Sequence, residues 1–151
     1  MCADANPALP PLWRACELVT RNFCVGESLS IPLLHATWVR ATHPLPRAVL
    51  GRIVRDEAAH GVVGWTFLDW VLPQLSPGGR ALILSTAESA IAEIRRLWDE
   101  LRQRPAPPQS EGHALGWMAT PEYLEYAAHS LQRRVIAPLA ERNFHVSVGS
   151  L

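Results

Sequence analysis

In the stretch DEAAHG, Asp56, Glu57 and His60 interrupt a run otherwise patterned as an apolar helix. Glu with His three residues later puts a carboxylate and an imidazole on one helical face, a turn apart. Such a pair can hold a divalent cation. It can also be a solvated salt bridge, or a core histidine satisfied by its neighbour. At about 100° per residue, Ile53, Val54, Gly61, Gly64, Leu68 and Val71 fall within about 60° of Glu57. Glu57 therefore stands at the centre of the apolar stripe. Upstream, Glu27 is central in the same way to Cys16, Thr20, Phe23, Cys24, Ile31 and Leu34. Burying two neighbouring carboxylates without compensation costs several kcal/mol each. No arginine of either segment lies on the stripe, and Arg52 and Arg55 point away. A cation is the inexpensive remedy, and Glu oxygen with His nitrogen suits iron or manganese.

Four helical segments must position these groups, set off by proline and glycine. The first is expected from Leu12 to Thr42, bent at Pro32. The second runs from Pro46 to Leu75 as one helix, ending before SPGG. The third covers Leu82 to Gln103, with STAE at Ser85 to Glu88 as a capping box. The fourth spans Pro121 to Arg142, with Thr120 as N-cap. The proline-rich stretch 104–119 reads as an exposed connection. No period-two alternation of useful length appears, so the expected fold is an all-α antiparallel helical bundle of about four helices in one domain, residues 1–151. Residues 12–76 form its metal-binding hairpin and 82–142 an additional helical pair. With a connection at residues 43–45, Glu27 and Glu57 differ in height by less than one turn. Glu27, Glu57 and His60 can meet.

Composition narrows the function classes. The formal net charge is zero, and all fourteen basic residues are arginine. A neutral chain with dispersed arginines has no electrostatic footprint for nucleic acid or an anionic membrane. No uninterrupted apolar run reaches eighteen residues, so no membrane span is expected. The start, MCADANPALPPLW, lacks the basic and apolar regions of an export signal. Cys2, Cys16 and Cys24 form neither a CxxC pair nor an even disulfide set, which fits a reduced, cytoplasmic setting.

The pattern VGES followed thirty residues later by DEAAHG resembles half of a ferritin-like di-iron carboxylate site. In that superfamily a four-helix bundle holds two metals with a Glu from each of two helices and a Glu-x-x-His from each of the others. The resemblance covers residues 12 to 76. It implies that Glu27 and Glu57 bind or bridge metal, that His60 is a terminal ligand, and that Asp56 orients the His60 ring. It also implies an iron cofactor, di-iron or with manganese, and an oxidoreductase acting on dioxygen or peroxide with a small-molecule substrate.

Only one half of such a site is convincing. Glu93 with Glu125 and His129 superficially repeats the pattern, but Glu125 and His129 are four apart and lie at the edge of their stripe. The second half then comes from a homodimer, is missing from a mononuclear or degraded site, or belongs to a longer relative. Val62, Val63, Thr66 and Trp70 make the back of the second helix apolar as well, which calls for a second packing neighbour. Against the enzyme stands a non-enzymatic helical protein that packs on a partner and keeps an empty or vestigial site. A zinc hydrolase of the HExxH type fits poorly, because position 56 is Asp.

Overall fold

The computed structural model describes residues 6–57, 59–105 and 109–147, and among these there is no strand. The chain is an all-α helical bundle of four long rods. The first rod comprises α1 (Pro11–Leu18), a π-helical segment (Val19–Glu27) and α2 (Ser28–Arg40). The second comprises α3 (Pro44–Glu57), α4 (His60–Val71) and a 3-10 turn (Leu72–Gln74). The third is α5 (Pro77–Gln103). A short α6 (Gln109–Leu115) leads to the fourth, made of α7 (Thr120–Leu131), a π-helical segment (Gln132–Ile136) and α8 (Ala137–Glu141).

The first rod is the hub. Its π segment packs on α4 and α5, and α2 packs on α3 and α7. Cys24, Val25, Leu68, Val71, Ile83, Ala87, Leu131, Val135 and Leu139 fill the space between the rods. Small residues set the closest approach. A Cβ at Gly64 would stand 2.8 Å from Phe23 Cβ and 2.9 Å from the backbone nitrogen of Cys24, so only glycine lets α4 seat on the π segment.

Several boundaries differ from the sequence expectation. The second rod is two helices, with α3 ending at Glu57 and α4 starting at His60. The third begins at Pro77 and takes SPGG into its first turn: Ser76 is the N-cap, its Oγ accepting from the Gly79 N–H. STAE is therefore mid-helix, and Ser85 Oγ donates back to the Leu82 carbonyl. Ala119, not Thr120, occupies the N-cap of α7, and Thr120 is its first helical residue. Part of the supposed loop 104–119 is α6, whose Ala114 carbonyl accepts from the N–H groups of Thr42 and His43 and so caps the α2–α3 turn. Gly116 makes this approach feasible: its φ is +87°, and a Cβ there would stand 2.1 Å from the Thr37 carbonyl. Among the described residues no helix is long and apolar enough to cross a membrane.

Candidate metal centre

Glu27 is the last residue of the π segment, Glu57 the last of α3 and His60 the first of α4. Three element ends thus converge on one point. One ligand atom from each of the three side chains lies within 4.8 Å of the others. Metal–ligand bonds to carboxylate or imidazole are about 2.0–2.2 Å, so one ion spans donors about 3–4 Å apart, and side-chain rotation closes the difference. His60 Nδ1 stands 2.8 Å from Glu57 Oε2.

The π-helical register was not anticipated from the sequence. The Ser28 N–H reaches back five residues to the Phe23 carbonyl, and Ser28 Oγ donates to the same oxygen. This widened turn resets the direction in which Glu27 leaves the rod. Single π turns are frequent at functional sites. The available signals were Gly26, which weakens the helix, and Pro32, which has no N–H to continue the ladder. Ser30 Oγ supplies a donor to the Glu27 carbonyl instead, at 3.3 Å.

A chain of contacts braces Ser28, the residue after Glu27. Trp65 Nε1 donates to Ser28 Oγ at 3.1 Å. The Arg142 guanidinium stacks over the Trp65 ring, 5.0 Å from its centroid, and donates to both oxygens of Asp69 at 2.7 and 2.8 Å. That hydrogen bonding holds the Asp69 carboxyl below its ordinary range and raises Arg142. The fourth rod is thereby tied to the second.

Burial, together with the nearby Glu57 carboxylate, pushes the Glu27 carboxyl above the ordinary glutamate range, while His60 pulls it back. No arginine pairs with Glu27 or Glu57 among the described residues. The donor set of two carboxylates and one imidazole fits iron or manganese, and the excess negative charge fits a divalent cation.

Two expectations need correction. The cluster is not sequestered from water: the Glu57 side chain is 27% exposed and that of His60 49%. Asp56 does not orient His60. It faces solvent and accepts from Arg52 Nε at 2.8 Å, one turn back along α3.

The other candidates are scattered. Glu93 pairs with Arg21 at 2.8 Å, while Glu125 and His129 are exposed on α7. Among the described residues, Glu27, Glu57 and His60 alone form a metal-competent group. His35 stands edge-on to Trp38. Cys16 and Cys24 are buried free thiols, and burial pushes Cys24 up to about 12, which suits a packing role. Cys2 lies outside the described residues. Comparison with protein-family models, with curated proteins and with solved structures finds no match for this chain.

Proposed function

We propose that Glu27, Glu57 and His60 hold a redox-active divalent metal, iron or alternatively manganese, and that the chain is a ferritin-like oxidoreductase acting on dioxygen or peroxide. The observation that carries this reading is the convergence of three donors from three element ends, with no arginine to neutralise them. Bound iron supplies one-electron chemistry that side chains lack. The chain's own residues set where the metal sits. Glu27 brings a carboxyl that must lose its proton, and Glu57 holds the His60 ring through Nδ1. Trp65 and Ser28 fix the turn that aims Glu27.

A second copy completes the centre. Leu45, Val49 and Ile53 are 67%, 50% and 37% exposed and recur every four residues along α3 in a row that leads to Glu57. Val62 and Val63 are exposed on α4 as well, on the back of that helix. A two-fold interface over the α3 row would bring two half-sites together and cover their rim. The buried free thiols Cys16 and Cys24 support a reducing compartment such as the cytoplasm.

The same apolar surface, with His60 already satisfied by Glu57, favours a second reading: a non-enzymatic helical protein that docks a partner and retains a vestigial site. Native mass measurement with elemental analysis separates the two. The oxidoreductase reading expects about one metal ion per chain in a dimer, lost in Glu57→Ala. A folded, metal-free protein whose melting temperature ignores added Fe(II) overturns it.

A further inference from the structure

A cavity of about 690 Å³ opens between α2, α4 and the fourth rod, and none of Glu27, Glu57 and His60 lines it. Its volume is in the range of small-molecule sites. Ile31, Val54 and Trp65 give it an apolar wall, and the fourth rod contributes Tyr126, Arg133 and Arg134. No Asp or Glu is among its described lining residues.

The arginines of this chain differ in their pairing. Arg21, Arg40, Arg52, Arg102 and Arg142 each hold a carboxylate. Arg133 and Arg134 have no ion pair or hydrogen bond among the described residues. They are consecutive residues of the π-helical segment Gln132–Ile136, and both reach the cavity wall. Two arginines on one wall make the cavity electropositive, which an anion balances. Planar guanidinium groups match a carboxylate with paired, charge-assisted hydrogen bonds. The apolar wall makes a small hydrated anion a poor fit. An anion carrying an apolar body fits both halves.

We propose that this cavity binds a free organic acid with one carboxylate and an apolar body. Arg133 and Arg134 hold the carboxylate, and Ile31, Val54 and Trp65 cover the body. The site does not depend on metal in the neighbouring cluster.

The test is calorimetric titration of the metal-free full chain with decanoate below its micelle-forming concentration. Acetate, 1-decanol and phosphatidylglycerol vesicles are titrated in parallel. Saturable one-to-one binding of decanoate is expected, with acetate and 1-decanol each about tenfold weaker or more. The exposed double variant Arg133→Gln/Arg134→Gln, with its helical circular dichroism unchanged, should weaken decanoate about tenfold or more and leave 1-decanol unaffected. The proposal is overturned by unchanged decanoate affinity in the double variant, or by acetate or 1-decanol binding as tightly as decanoate. Capture of the vesicles without binding of monomeric decanoate overturns it as well.

Discussion

Glu57, the last residue of α3, and His60, the first of α4, face each other, Oε2 to Nδ1 at 2.8 Å. Both side chains are partly exposed, 27% for Glu57 and 49% for His60. Glu27, on the other rod, has its carboxyl pushed above the ordinary glutamate range by burial and by Glu57.

That perturbation has a pH signature. Glu27 has a folded-state pKa above its unfolded value, so the native metal-free protein binds the proton more tightly than the unfolded chain does. The stabilisation is complete below the ordinary glutamate value of 4.5 and is lost as pH rises through the folded-state value. Glu27→Gln should remove this loss and raise the neutral-pH melting temperature of metal-free protein. Urea titrations at pH 4 and pH 7 measure it: the gap between wild type and variant should widen at pH 7. In metal-loaded protein the order should reverse, because the amide is a poorer ligand than the carboxylate.

Metal affinity should rise with pH for the same reason. A cation competes with protons for its ligand groups, Glu27 among them, and binding releases them. Fe(II) titrations under anaerobic conditions at pH 5.5 and 7.5 should show weaker binding at the lower pH. Equal affinity at the two values would remove these groups from the ligand set.

Trp65 is expected to act through its N–H as well as its ring. Trp65→Phe keeps an aromatic ring beside Arg142 but loses the donor to Ser28 Oγ. The cost should be about 1 kcal/mol in denaturant unfolding. In the metal-binding protein, Fe(II) affinity should fall too, since Ser28 directly follows Glu27.

Gly64→Ala tests the seating of α4. The added methyl would meet the Cys24 backbone nitrogen at 2.9 Å, and backbone cannot move aside as a side-chain tip can. Overpacking of this kind costs about 1–3 kcal/mol, read as a lower melting temperature. Gly61→Ala, which would meet only the Ile31 Cδ1 tip at 3.2 Å, should cost less.

The α3 stripe tests assembly. Val49 and Ile53 are exposed, so Val49→Glu/Ile53→Glu should leave the monomer fold intact. On the shared-centre proposal, sedimentation should show a wild-type dimer that this variant shifts to monomer, with metal stoichiometry falling in parallel. A wild-type protein that sediments as a monomer would sink the shared-centre proposal.

What the sequence determined by itself is whatever follows from periodicity. Apolar residues at helical spacing define the rods, and Pro44 and Pro46 mark the hairpin. Counting rise from the connection brings Glu27 level with Glu57, and the 4.8 Å cluster bears that meeting out. Periodicity also put Gly64 on the Glu57 stripe, and the structure places Phe23 and Cys24 against it.

Only the tertiary structure decided the hydrogen-bond register and the exposure. An α turn and a π turn differ by one residue in the donor's reach, and Gly26 and Pro32 weaken the helix locally without fixing which turn forms where the first rod packs on α4 and α5. Asp56 had both His60 and Arg52 within a turn along the chain, and the salt bridge to Arg52 formed on the solvent side. The cavity with Arg133 and Arg134 has no local signature either, because its walls come from residues about a hundred positions apart, brought together only when the fourth rod closes on the first. Local patterning chooses which face a residue occupies. Packing between distant segments chooses which faces meet, and there the chemistry of this molecule is set.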